Sequence, residues 1–170
     1  MTAPTFVDTN IVVYCRQARE HVKQPRAAHW LDRLWRDQLG RTSIQVIGES
    51  YVTLTRKITP PLPQDAAWEY VETFFAWDPQ PLNEETVSRG RQIEQRYRLS
   101  WWDSLIVSAA QLQNCPILLS EDLQHGARYG SVTVCNPFLD MATDVQIEYN
   151  APIAPHPYRP RGRPRRQAVD

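Results

Sequence analysis

The sequence has no apolar run approaching the roughly 20 residues that a membrane-spanning helix needs. Met1-Thr2-Ala3-Pro4 runs straight into Thr5-Phe6-Val7 with no basic region or small-residue cleavage site, so no secretory leader is expected. A soluble, cytoplasmic protein is the expectation. Cysteine is scarce: Cys15, Cys115 and Cys135 are an odd number, lie far apart, and make neither a Cys-x-x-Cys pair nor a zinc-ligand spacing with histidine. That excludes a disulfide framework and a zinc finger and suits a reducing compartment. No internal repeat is present, which removes solenoids and propellers. Net charge is lacking too, with 19 Lys+Arg against 19 Asp+Glu in 170 residues. A hydrophobic share of 42% with 22% charged residues excludes wholesale disorder, collagen and coiled coils. The zero conceals two unlike parts. Residues 1–150 carry 14 basic and 18 acidic side chains, net −4, whereas residues 151–170 carry five Arg and one Asp, net +4.

Hydrophobic periodicity predicts alternating strands and helices. Thr5-Phe6-Val7 reads as a strand ending at Asp8, and Ile11-Val12-Val13-Tyr14 as a buried helix capped by Asp8 or Thr9. A helix is predicted over about 25–39, with Pro25 at its first position and Gly40 as its stop. Thr42-Ser43-Ile44 is a candidate strand, Val46 to Arg56 a helix, and Pro60 to Pro63 an extended connection. An amphipathic helix is expected from Gln64 to Trp77, and further helices from Asn83 to about Arg98 and from Ser100 to Gln113. Residues 116–120 and 132–134 read as strands, with a loop over 124–130 between them. Short, fully apolar strands alternating with helices indicate a three-layer α/β/α domain with a mostly parallel sheet, over 1–142. An extension over 143–170 is expected to hold an edge strand at Val145–Tyr149 and then a Pro/Arg-rich mobile tail.

Four carboxylates interrupt this apolar pattern. Asp8 sits between Phe6-Val7 and Ile11-Val12-Val13; Glu49 follows Ile44-Gln45-Val46-Ile47-Gly48. Asp103 shares a helical face with Ile106, Val107 and Ala110, and Asp122 comes just after the strand at 117–120. Each should be partly desolvated, which is costly unless a cation or several donors meet it. Within six residues of Asp8, Glu49 or Asp122 the only Lys or Arg is Arg128, and Asp103 has only Arg98. Mg²⁺ or Mn²⁺ would resolve the difficulty, because hard cations prefer oxygen ligands and this set contains neither His nor Cys. The chemistry suggested is phosphodiester hydrolysis. The plain alternatives are that Asp8 caps a helix, Asp103 lies in a favourable first turn, and Asp122 starts a bend.

Taken together, Phe6-Val7-Asp8-Thr9-Asn10-Ile11, Gln45-Val46-Ile47-Gly48-Glu49, Trp102 to Ala110 and Leu118 to Gln124 resemble PIN domains, in particular the VapC-type ribonuclease toxins. The resemblance runs in order from about residue 4 to Phe138. It implies an endoribonuclease that uses Mg²⁺ or Mn²⁺, a homodimer, and a cognate antitoxin that covers the site. By position, Asp8, Glu49, Asp103 and Asp122 match the catalytic, metal-binding acids. Thr9, Asn10 and Ser120 match supporting polar positions, and Glu121 leaves open which of the adjacent acids 121 and 122 faces the metal. Water would attack the phosphorus in line, leaving 5′-phosphate and 3′-hydroxyl ends.

An acidic body binds RNA poorly without local positive charge, for which Arg16, Arg56 and Lys57 are candidates. A solvated helix face is the alternative for each. Trp101 and Trp102 offer base stacking, with core packing expected for at least one of them. The arginine-rich tail from Arg159 to Arg166 departs from the family pattern; gripping RNA phosphates, folding on a partner and covering the chain's own acidic pocket are its functional readings, and a solubilising end is its plain and first-ranked one. An RNA-processing nuclease without an antitoxin and a non-enzymatic RNA-binding module are the competing functions.

Overall fold

The computed structural model describes residues 3–139. The strand expected at 145–149, the boundary at 142 and the arginine-rich tail lie outside the described residues. Five strands form one sheet in the order β2-β1-β3-β5-β4. They are β1 (Thr5–Val7), β2 (Gly40–Arg41), β3 (Ile117–Leu119), β4 (Arg128–Tyr129) and β5 (Val132–Cys135). The first three pairings in that order are parallel, and β4 alone runs antiparallel, against β5. The helices are α1 (Thr9–Tyr14), α2 (Lys23–Asp37), α3 (Ile44–Arg56), α4 (Gln64–Glu72), α5 (Glu84–Tyr97) and α6 (Trp101–Leu112).

The central strands are buried on both faces. Successive strand residues point to opposite sides of a sheet, yet Thr5, Phe6 and Val7 are all fully buried, as are Leu118 and Leu119. Helices therefore cover both faces, the three-layer arrangement expected of parallel strands with continuous apolar sequence. The covering layers fill with Ile11, Leu34, Leu54, Phe74, Leu105 and Ile106, all essentially inaccessible. Helix α6 packs on β3 and β5 and carries α5, while α1 is flanked by α2 and α3, and α3 by α4.

Four local expectations are corrected. The second strand is Gly40–Arg41 and not Thr42–Ile44, because Ser43 is the N-cap of α3, its Oγ accepting from the Val46 amide at 3.3 Å. The α3 helix thus begins at Ile44, and the buried Thr42 instead donates its hydroxyl to the Val7 carbonyl. Helix α2 starts at Lys23, which puts Pro25 at its third position. It ends at Gln38 in the left-handed conformation (φ 56°) instead of at a glycine. The stretch 64–77 is two pieces: after Glu72 the chain tightens into a 3₁₀ turn over Thr73–Trp77. With three residues per turn, Phe74 and Trp77 stack on the same side. Both are buried, with ring centroids 5.0 Å apart. Finally, the loop over 124–130 contains β4.

Gly40 has a packing role. A methyl group at its α-carbon would land inside the Trp77 indole. Gly40→Ala is therefore expected to lower stability by about 1–3 kcal/mol through overpacking, read as a shift in the urea midpoint. An unchanged midpoint would show that Trp77 moves aside freely. The cysteines are free thiols. Burial pushes the Cys115 thiol up to about 12 and the Cys135 thiol up to about 11. A raised thiol pKa keeps the unreactive protonated form at neutral and mildly alkaline pH. Iodoacetamide in mildly alkaline buffer should leave both residues unmodified in the folded protein and alkylate both in urea. Rapid native labelling of Cys115 would contradict this burial.

Candidate active site at the carboxyl ends of β1 and β3

From β1 the chain crosses to β2 on one side, then returns to form β3 on the other side of β1. The strand order reverses between β1 and β3, and in open α/β sheets ligands bind in the crevice beyond the carboxyl ends at such a switch point. Register places Val7 opposite Leu119 there, with the Asp8 amide donating to the Leu119 carbonyl at 3.0 Å. The next residues on the two strands, Asp8 and Ser120, consequently meet.

Asp8 is 0% exposed. Its Oδ1 accepts from the Thr9 amide at 2.7 Å, and its Oδ2 accepts from Ser120 Oγ at 2.7 Å and Asn10 Nδ2 at 3.3 Å. The capping role and the site role coincide, since Asp8 is also the N-cap of α1. Thr9 extends the network: its hydroxyl donates to Glu49 Oε2 at 2.9 Å. Asn10 extends it in the other direction, its Nδ2 reaching Asp122 Oδ2 at 3.3 Å while its Oδ1 accepts from the Glu121 amide at 3.3 Å. Ser120 Oγ, besides donating to Asp8, accepts from the Asp122 amide at 3.2 Å. Three residues predicted to support the carboxylates, Thr9, Asn10 and Ser120, thus join Asp8, Glu49 and Asp122 into one hydrogen-bonded set.

Asp103 approaches by a different route. It occupies the first turn of α6 at 7% exposure, and its Oδ2 accepts from the N-cap hydroxyl of Ser100 at 2.6 Å. The adjoining Trp102 carbonyl accepts from Gln45 Nε2 at 3.4 Å, and that same nitrogen donates to Glu49 Oε1 at 2.9 Å. Burial pushes the Tyr129 phenol up to about 12, and the negative charge of Asp103 adds to the effect.

The adjacent acids 121 and 122 have different surroundings. Glu121 forms an ion pair with Lys23 Nζ at 2.6 Å and accepts from the Tyr14 hydroxyl at 2.7 Å. Burial by itself would lower the Lys23 pKa, but its hydrogen bonds to Glu121 and Tyr14 outweigh burial and raise it, so the cation persists far above neutral pH. Asp122, exposed, shares Asn10 with Asp8. The geometry therefore puts Asp122 with the other carboxylates and Glu121 in a clasp with the start of α2.

The candidate RNA-binding cations lie just after α1 and at the end of α3. Arg16 lies over the Tyr70 ring, 4.3 Å from its centroid. Arg56 and Lys57 are exposed at the end of α3, about two helical turns beyond Glu49. An open groove of about 660 Å³, lined by Arg89, Arg96, Tyr97 and Gln111 among others, contains none of the four acids. Sequence reasoning missed Gln45, Tyr14 and Lys23. Gln45 was accessible in principle, being four residues before Glu49 on a helix. The other two are joined to residue 121 only by the fold.

Among the described residues, no three His, Cys, Asp or Glu side chains converge into a preformed metal cage. The donor set nevertheless suits Mg²⁺ or Mn²⁺. It consists of hard oxygen ligands, and Mg²⁺ characteristically keeps several waters and binds through one or two carboxylates plus substrate phosphates.

The PIN domain family model matches residues 5–129, a span that contains every residue of this network. The chain belongs to the PIN domain family. Membership places it among nuclease domains. Among solved structures, the chain is similar to a crystal structure of Mycobacterium tuberculosis VapC20, described as a sarcin-ricin loop cleaving toxin. That match has 15% identity and a TM-score of 0.44, covering 67% of this chain and 86% of that one. A comparison with curated proteins finds no match. No helix among the described residues is long and apolar enough to cross a membrane.

The hydrogen bonds around Asp8 generate a direct prediction. Ser120→Ala removes a donor from a fully buried carboxylate and an acceptor from the Asp122 amide. It should cost about 1–3 kcal/mol of stability by denaturant unfolding. A change within experimental error would show that water replaces the hydroxyl.

Proposed function

We propose that this PIN domain is a metal-dependent endoribonuclease acting as the toxin of a type II toxin–antitoxin pair, in which Asp8, Glu49, Asp103 and Asp122 are the catalytic acids. The observation that carries this reading is the convergence of Asp8, Glu49 and Asp122 on Thr9, Asn10 and Ser120 at the switch point of the sheet. Such a polyanionic cluster repels a phosphate unless cations intervene. Asp8, Glu49, Asp103 and Asp122 would hold one or two Mg²⁺ or Mn²⁺ ions. When bound, a divalent ion supplies Lewis-acid charge to the phosphate and lowers the pKa of an attacking water.

The chain's own residues set the geometry. Asp8 cannot swing, because donors from α1 and from the end of β3 fix both of its oxygens. Thr9 and Gln45 hold the two Glu49 oxygens in the same way. Carboxylates fixed in this way would hold a divalent cation against the charge that develops on the phosphate, at no cost in reorganisation during reaction. The reading includes a homodimer, and a small antitoxin partner that shields the acids.

Asp8→Asn and Asp103→Asn are each expected to lower RNA cleavage at least about a hundredfold while leaving the circular dichroism spectrum unchanged. EDTA should abolish wild-type cleavage, and added Mg²⁺ or Mn²⁺ should restore it. Mapping new RNA ends should give 5′-phosphates. Metal-dependent cleavage retained in both variants would sink the assignment of the acids. Expression of the wild-type chain alone tests the toxin role: growth arrest is expected, and cleavage in vitro without arrest would favour RNA processing without an antitoxin.

A further inference from the structure

We propose that Trp102 is the platform on which an unpaired base of the substrate stacks beside the carboxylates. The inference rests on the nuclease reading and adds a residue that binds the nucleotide next to the scissile phosphate. Trp102 is the second residue of α6 and is 49% exposed, while Asp103 immediately after it is buried. An indole therefore projects into solvent one residue from a proposed catalytic acid. The Trp102 backbone is not free to drift, because Gln45 Nε2 binds both its carbonyl and Glu49 Oε1. One amide nitrogen thus ties the backbone that carries the indole to a second proposed acid.

Charge gives the indole its purpose. With a net charge of −4 over residues 1–150, the body attracts phosphates weakly. Lys23, the cation held within the network, is paired with Glu121, and Arg16 is engaged with Tyr70. A π-face attracts a base whatever the surrounding charge, and every base has one. Trp102 is accordingly a determinant of affinity for single strands and not of base identity. Duplex RNA, whose bases are already stacked, does not satisfy it.

The test titrates the full chain with a single-stranded oligoribonucleotide in Ca²⁺, which screens the acids, following tryptophan fluorescence and checking on a gel that the strand stays intact, so that binding is read apart from cleavage. Wild-type fluorescence should be quenched. Trp102→Phe should bind within a few-fold of wild type but lose much of the quenching. Trp102→Ala should bind about 5- to 100-fold more weakly, with an unchanged slope of affinity against salt because no cation has been removed. An oligonucleotide with an abasic position at the cleavage site should bind wild type and Trp102→Ala equally. Unchanged affinity in Trp102→Ala together with undiminished quenching in Trp102→Phe would overturn the proposal and leave the indole as a protein-docking residue. If the wild type shows the Trp102 signal but cleaves no RNA with Mg²⁺ or Mn²⁺, the nuclease reading falls and the stacking stands. If it cleaves and Trp102→Ala leaves KM unchanged, the stacking falls alone.

Discussion

A carboxylate with no solvent exposure at the end of a fully apolar strand governs this molecule. Burying an ionised Asp costs several kcal/mol unless donors replace the lost water. The sequence around Asp8 supplies them from two directions. Thr9 and Asn10 follow it directly, and Ser120 arrives from a strand 112 residues later. Satisfying one charge therefore pins the start of α1 to the end of β3 and allows only one register between β1 and β3. A slip of a single residue would turn Ser120 to the opposite face and strand the Asp8 oxygen. A buried Leu at position 8 would stabilise the same sheet without these demands. On the proposed reading the charge is kept to hold a cation, and the surrounding polar residues are its consequence.

The same network explains which parts of the site were legible in sequence. Asp8, Glu49, Asp103 and Asp122 stood out because each broke a hydrophobic pattern, and Thr9, Asn10 and Ser120 because they adjoin those acids. The three-layer fold followed from strands such as Leu118-Leu119 that alternate with nothing polar. Other elements were hidden for physical reasons. Gly40–Arg41 has no β-forming composition and becomes a strand because β1 offers it a parallel edge and Trp77 fills the space of a side chain. Over five residues, Thr73–Trp77 fits a 3.6-residue and a 3.0-residue period equally well, so only packing separates α-helix from 3₁₀ turn. Arg128–Tyr129 is too short to show alternation at all.

The hydrogen bonds of Gln45 couple the two halves of the site. Helix α3 brings Glu49 from one element of the fold and α6 brings Asp103 from another, and no strand register relates them. Gln45 spans this gap through Glu49 Oε1 and the Trp102 carbonyl. The cost of such a bridge is that two helices must keep their spacing to within the reach of one amide. Helix α6 is itself anchored in the core and to α5. In α6, Ser108 donates its hydroxyl to the Thr86 carbonyl of α5, and Leu105, Ile106, Val107, Ala109 and Ala110 are all buried. The placement of Asp103 is thus inherited from the core packing of α6.

The fates of residues 121 and 122 follow from the same logic. The two adjacent acids lie in the bend that follows β3, and their carboxylates take different partners. Were residue 121 left in solvent, the segment could rotate and exchange the two. Lys23 and Tyr14 prevent this by holding both Glu121 oxygens, and Asn10 Oδ1 holds the Glu121 amide. Surface ion pairs usually contribute little. This one is partly shielded, with Lys23 also lying 4.5 Å from the Tyr14 ring centroid. Its importance is directional: it neutralises one acid so that the next one faces Asp8 across Asn10. Asn10 is therefore the residue where the electrostatics of both acids meet, through a side-chain amide whose nitrogen serves the carboxylates and whose oxygen serves the backbone that presents them.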